Sequence, residues 1–347
     1  MHRFSYCIKK TAGWIAAAFI AVFICNISCF AFYDPCQELT REAGATTGFL
    51  LPDSFGVYGL EGYSVADIDH YGYVNRKMER ADDYIVVAGA SHTEGLFIPE
   101  EARYTDVVND MLFNDGKNHV INIGRSGNYF SVCLQHLDGI LGEFPDAKAI
   151  VIETDSLAYD TKALYDSMIQ TGYDPDETAD ALLSRLSFRQ RMVIRIKQYL
   201  PLLRLIRKQY YTYLGAQETA EDNGTDILDP VFWKSEYDGD FETALSDLMK
   251  YIRSKTDKQV IILYHPAVKL EDDGSMSALS NHAEPYYEKI CRENGIDFID
   301  MTGPFEDAYN KDRIIPYGFA NTTPGDGHIN KAAHKMMAEE LAKVIRW

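Results

Sequence analysis

The sequence predicts an α/β protein: a three-layer, mostly parallel, doubly wound sheet behind an N-terminal transmembrane helix. Two observations carry the sheet. Short runs of near-continuous Val, Ile and Leu recur along the chain, as expected of strands covered on both faces. Stretches of helical apolar spacing separate them, and strand–helix alternation builds parallel sheets. A third observation, one long apolar run near residue 1, predicts the membrane helix. The 347 residues, 46% of them hydrophobic, suffice for one large domain plus an anchor.

His2, Arg3, Lys9 and Lys10 precede the apolar run 11–33, and Asp34 and Glu38 follow it. The positive-inside rule then makes 1–33 a cytoplasmic stub and signal anchor and exports the rest of the chain. A cleaved signal peptide is the competing reading, but the run is long for one and no Ala-x-Ala site follows. A buried core helix is a third option. Lipidation at Cys29 would want an aliphatic residue where Asn26 stands. The formal net charge of −18 argues against nucleic acid as the main partner. The six cysteines have no metal-ligand spacing. Cys25 and Cys29 read as apolar residues. Cys36, Cys133 and Cys291 read as free or buried thiols, with a disulfide among them left open.

Residues 34–82, rich in Gly and Tyr, read as an irregular lead-in with short strands. The α/β rhythm occupies 83–347. Strands are predicted at 84–88, 119–123, 147–154, 259–264 and 296–301, and helices at 104–113, 130–141 and 331–345. An insertion at about 157–237 interrupts it. From 181 to 217 no acidic residue occurs, while Arg185, Arg189, Arg191, Arg195, Lys197, Arg204, Arg207 and Lys208 lie among apolar residues, with Pro201 breaking the helix. Two readings stand. The insertion contacts an anionic surface, either membrane headgroups or a wall polymer, or it is a helical cap whose arginines pair with the domain's own carboxylates.

Ligands of doubly wound folds sit at the carboxyl ends of the strands. The first strand ends in Gly89-Ala90-Ser91, the second in Asn122-Ile123-Gly124-Arg125-Ser126-Gly127-Asn128. A serine hydroxyl needs a base to attack at neutral pH. His328 suits, in the loop Thr323-Pro324-Gly325-Asp326-Gly327-His328 before the last helix. Asp326, two residues earlier, is the candidate to orient the imidazole; turn chemistry is its plainer reading, and Asn330 can cap the helix without either residue. The backbone N–H groups of Ser91 and Gly127 are the candidate oxyanion donors.

Taken in order, these blocks resemble the SGNH (GDSL-like) hydrolases, most closely cell-surface acyltransferase and acylesterase relatives that modify polysaccharides. The resemblance covers roughly 83–345, and the lead-in 67–75 also looks like the segment before the nucleophile strand in surface members. It implies a flavodoxin-like sheet, Ser91 as nucleophile, Gly127 in the oxyanion hole, and Asp326 and His328 completing a Ser-His-Asp triad. Three departures stand out. The usual Gly-Asp-Ser is Gly-Ala-Ser. The third block, Glu153-Thr154-Asp155-Ser156, lacks the Asn that supplies a third oxyanion donor, leaving Ser156 or another group. Asp326 and His328 are one residue apart rather than two, as in alginate-acetylation relatives.

His92, Asn128, His265 and Ser156 are further candidates for substrate contact. An adjacent side chain such as His92 normally points away from the nucleophile, and His265 reads more simply as a satisfied strand-end histidine. Glu94 and Arg125 lie in site-edge loops, where solvation is the plainer reading. Gly124-x-x-Gly127 falls short of a dinucleotide loop. No metal or organic cofactor is implied. The expectation is a membrane-anchored extracytoplasmic serine esterase or O-acyltransferase acting on small acyl esters of a surface polysaccharide or wall polymer, with an acyl-exporting membrane protein as a possible partner. The alternatives are a non-catalytic glycan-binding or accessory protein with a degenerate site, and a lipid esterase favoured by the basic insertion.

Overall fold

The computed structural model describes residues 2–40, 48–171, 173–221, 239–279 and 282–347. Helix α1 (His2–Phe32) leads into two small antiparallel hairpins, β1 (Glu38–Thr40) with β2 (Gly48–Leu50) and β3 (Phe55–Tyr58) with β4 (Ser64–Asp67). Five strands form the central sheet: β5 (Arg80–Ala88), β6 (Asn118–Asn122), β7 (Ala147–Thr154), β8 (Gln259–Tyr264) and β11 (Asp297–Asp300). All pair in parallel, in the order β11-β8-β7-β5-β6. Counted within the sheet this is 5-4-3-1-2, the doubly wound order whose direction reverses at the first strand. A third hairpin, β9 (Val268–Leu270) with β10 (Met276–Ala278), follows β8.

The strands work as their sequences suggest. In β5, Val86 and Ala88 face one core while Ile85 and Val87 face the other, and Ile150 and Ile152 alternate with Ala149 and Val151 in β7. Period-two alternation of residues that are apolar at every position is why both faces must be covered. One face is covered by α4 (Phe130–Gln135), α5 (Leu137–Glu143), α10 (Gly239–Lys255) and α11 (Glu284–Glu293). The other is covered by α3 (Tyr104–Leu112), α12 (Thr302–Asp312) and α13 (Lys331–Val344). Full burial of such a side chain stabilises by about 1.5–3 kcal/mol, and Ile85, Val86 and Val87 are each 0% exposed.

Two elements depart from the expected bounds by more than one residue. The first strand begins at Arg80, which pairs with Asn118 of β6 ahead of a register shift before Ile85. The helix expected over 130–141 is two helices broken at His136. The insertion holds α6 (Thr161–Asp166), α7 (Ala179–Arg185), α8 (Phe188–Gln198) and α9 (Pro201–Glu221), and Pro201 opens a helix at its first turn, where its missing N–H costs nothing. Its part from 222 to 237 lies outside the described residues. Cys36, Cys133 and Cys291 are buried free thiols. Within α1, Lys9–Phe32 is 24 residues long and holds an 18-residue window of mean hydropathy 2.4, only 6% of it buried, so it is long and apolar enough to cross a bilayer.

Candidate functional site

Ser91 opens the one-turn helix α2 (Ser91–Glu94) at the carboxyl end of β5. Gly89 allows that turn: a Cβ there would collide with the Thr93 hydroxyl and the Glu153 carboxylate. Glu153, on the neighbouring β7 and 1% exposed, holds the turn from below. Its Oε2 accepts from the Thr93 hydroxyl at 2.7 Å and from the Ala90 amide at 3.2 Å. A buried carboxylate so bonded fixes the backbone on either side of Ser91.

His328 lies in the loop before α13, and Asn330 caps that helix by accepting from the Ala332 and Ala333 amides. The His328 Nε2 is 2.9 Å from Ser91 Oγ. Sequence positions 91 and 328 thus meet at the carboxyl edge of the sheet.

The acid on the far side of the ring is Glu61. Its Oε2 lies 2.7 Å from His328 Nδ1, and its Oε1 accepts the His328 backbone amide at 2.7 Å. With a carboxylate at Nδ1 the proton sits there, leaving the Nε2 lone pair for the serine hydroxyl. This corrects the expectation for Asp326. The Asp326 carboxylate is exposed and accepts the amide of Gly327 at 2.8 Å, a turn bond. Gly327 (φ +82°) leaves the space that Glu61 fills, since a Cβ would strike Glu61 Oε1. Glu61 sits in the β3–β4 turn, which Asn321 pins by accepting the Gly62 amide at 2.8 Å and donating to the Gly59 carbonyl at 3.3 Å. The lead-in, read as irregular, therefore delivers a site residue. Nothing in the sequence marks Glu61 among 52 acidic residues; only the hairpin brings it to His328.

The turn after β6 carries Gly127 and Asn128. It is braced by Glu94, which is buried rather than solvated: it takes Arg125 Nη1 at 3.0 Å, the Ser126 amide at 3.0 Å and the Ser126 hydroxyl at 2.5 Å. Glu94 belongs to the same turn of helix as Ser91, so the two loops are locked together. The amides of Ser91 and Gly127 have no acceptor among the described residues. Asn128 is 8% exposed and its Oδ1 has no donor among the described residues. Ser156 is spent on its own turn, where its Oγ accepts the Ala158 amide at 3.1 Å and its N donates to Thr154 Oγ1 at 3.2 Å.

Two histidines expected as candidate substrate contacts are buried supports. His265 is 0% exposed, 2.8 Å from Glu153 Oε1 and 2.7 Å from the Tyr317 hydroxyl, which donates to the Pro266 carbonyl. His92 packs against the rings of His265, His328 and Tyr317. Burial, then the neighbouring His265 and His328, push the His92 pKa well below its ordinary value, so it backs His328 as a neutral ring. Phe97 covers another side of His328, with ring centroids 4.4 Å apart. Asp155, at the edge of this group, has its pKa raised by burial and then by the charge of Glu153. Among the described residues no three His, Cys, Asp or Glu side chains are gathered as metal ligands.

No protein-family model matches the sequence, and no curated relative does. Solved structures with a similar chain path include the acetyl xylan esterase AlAXEase (17% identity, 75% of this chain and 99% of that one, TM-score 0.41). A catalytic mutant of Axe2, an acetylxylan esterase from Geobacillus stearothermophilus, is similar at 13% identity over 78% of this chain and 98% of that one (TM-score 0.37). TesA is similar at 11% identity over 74% of this chain and 95% of that one (TM-score 0.35). Similarity this distant says nothing about substrate.

Proposed function

We propose that the protein is a membrane-anchored extracytoplasmic serine esterase or O-acyltransferase that works through an acyl-Ser91 intermediate. The observation that carries this reading is the hydrogen-bonded series Ser91 Oγ, His328 Nε2, His328 Nδ1, Glu61 Oε2, with steps of 2.9 and 2.7 Å. In the first half-reaction Ser91 Oγ attacks the ester carbonyl and its proton passes to His328 Nε2. Glu61 stabilises the imidazolium. The tetrahedral oxyanion is met by the Ser91 and Gly127 amides, with Asn128 beside them; losing one such donor costs about 100–1000-fold in rate. Collapse expels the alcohol, which takes the proton back from His328. In the second half-reaction water or a sugar hydroxyl gives its proton to His328 and attacks the acyl carbon; collapse breaks the bond from the acyl carbon to Ser91 Oγ, which takes that proton back from His328.

A small acyl group on a surface polysaccharide or wall polymer is the substrate class suggested by the sequence resemblance and by an exported domain behind α1. The test is hydrolysis of a small chromogenic acetyl ester by the detergent-solubilised full chain, beside Ser91→Ala and His328→Ala. Activity lost in both variants supports the reading. Equal activity in all three overturns it. Acceleration by added oligosaccharide, with acylated sugar as product, assigns transfer over hydrolysis.

A further inference from the structure

The basic insertion makes fewer internal ion pairs than a capping role would need. Arg185 pairs with Glu177 and Arg204 with Asp34. Arg189, Arg191, Arg195 and Lys197 have no ion-pair partner among the described residues. In α8 the apolar side chains also look outward. Ile194 packs on the main core, whereas Phe188 is 74%, Met192 43%, Ile196 54% and Tyr199 70% exposed. Their spacing of four, four and three residues puts them in one stripe opposite Ile194. Arg191 and Arg195 flank that stripe on one side and Arg189 on the other. Helix α9 repeats the pattern: Leu205 turns inward onto the lead-in cluster, and Leu203, Ile206 and Tyr210 are exposed.

The place of this surface decides what covers it. The elbow between α8 and α9 is bonded to the apolar helix α1. Asn26 donates to the Tyr199 carbonyl at 3.0 Å and accepts the Leu202 amide at 3.3 Å. Asn26 is six residues before the end of α1, about 9 Å along the helix axis. That is within the ~5–10 Å depth at which interfacial helices lie. The exit of α1 is rigid as well: Asp34 bridges to Val57 of β3, and the Tyr63 hydroxyl donates to the Ala31 carbonyl at 2.9 Å.

We propose that α8 and the start of α9 lie in the anionic surface of the same bilayer that α1 spans, with the apolar stripe among the acyl chains and the arginines on lipid phosphates. This rests on the reading of α1 as a membrane anchor. An apolar stripe edged by arginines is the composition of an interfacial helix, and basic side chains are attracted to anionic headgroups. The consequence reaches the candidate site. Leu205 joins the cluster containing Tyr58, Lys208 Nζ stands 5.8 Å from the Tyr58 ring, Tyr58 packs on Phe97 at 5.5 Å, and Phe97 packs on His328. Packing thereby links Ser91 and His328 to the elements placed at the bilayer through Phe97 and Tyr58.

The test uses the full chain in nanodiscs of phosphatidylcholine with or without phosphatidylglycerol, in a Cys7→Ser background. An environment-sensitive fluorophore is placed on native Cys25, which reports the anchor, or at Ile196→Cys with Cys25→Ser, which reports the stripe. Nitroxide lipids are the quenchers. The expected result is quenching and a blue shift at both positions. At 196, phosphatidylglycerol should increase both signals, and changing Arg189, Arg191, Arg195 and Lys197 to Glu should remove the larger part of them. Unchanged hydrolysis of a soluble ester by the charge-reversed chain confirms that it is folded. Quenching at 25 with water-like emission at 196 overturns the proposal and leaves the anchor reading standing. Water-like emission at both positions overturns both. Quenching at 196 that ignores lipid charge and charge reversal overturns the anionic-lipid assignment.

Discussion

Glu61 grips His328 twice, at the ring Nδ1 and at the backbone amide, each at 2.7 Å. One carboxylate thus sets both the tautomer of the imidazole and the course of the loop that carries it.

Glu61→Gln should lower kcat for ester hydrolysis by about 10³–10⁴-fold, because the amide neither stabilises the imidazolium nor enforces the tautomer. Asp326→Asn should change kcat by less than about threefold, since an exposed turn residue away from such features moves energies by only ~0.5 kcal/mol. Side-by-side kinetics of the two variants decides between the acids, and the reverse ranking would restore Asp326.

The Glu94 brace predicts a different kinetic signature. Glu94→Gln keeps the shape but weakens the charge-assisted bonds to Arg125 and to Ser126. The Gly127 turn should loosen, lowering kcat by about 10–100-fold with a smaller change in KM. A loss confined to KM would place Glu94 in substrate binding instead.

Beneath Ser91, Glu153 and His265 form a fully buried pair. His265→Ala removes the partner of Glu153 Oε1 and should destabilise the fold by about 3–5 kcal/mol, read as a shift in denaturation midpoint. A shift below about 1 kcal/mol would mean that the pair is dispensable to the fold.

Acid stability should fall in a definite window. Burial lowers the pKa of His92 well below 6.5 and that of His334 to about 3. His334 stays neutral in the fold, where its Nδ1 accepts the Tyr104 amide at 3.1 Å. The unfolded chain regains ordinary values and binds more protons below about pH 6.5, so acidification favours unfolding. For His334 the stabilisation is complete above that pH and declines by about 1.4 kcal/mol per pH unit as pH falls toward 3, and His92 acts in the same direction. His334→Gln, which keeps an acceptor, should reduce that slope by one proton in denaturant titrations at neutral and acid pH. An unchanged slope would reject the assignment.

The sheet was legible because its signal is local. Runs such as Ile85-Val86-Val87 and Ile150-Val151-Ile152 have no soluble alternative to burial on both faces, and strands 147–154 and 259–264 fall where the sequence puts them. The break at His136 was not legible, because apolar spacing runs on across it. Ser91 and His328, which the fold brings within 2.9 Å of each other, could be picked out as candidates because loop position and residue type restrict where a nucleophile and a base can stand. The acid could not. A carboxylate at almost any sequence distance can reach Nδ1, and the nearest one, Asp326, found a shorter-range use in its own turn.

By itself, then, the sequence determined the parallel sheet, the long apolar N-terminal helix and the two blocks that carry Ser91 and His328. These follow from hydrophobic periodicity and turn chemistry, which act over a few residues. The tertiary structure alone decided that Glu61 bears on His328, that Glu94 and Glu153 are buried braces, and that the α8–α9 elbow meets α1 at Asn26. Those contacts join residues far apart in the chain, and their geometry exists only once hairpin, sheet and helices have packed.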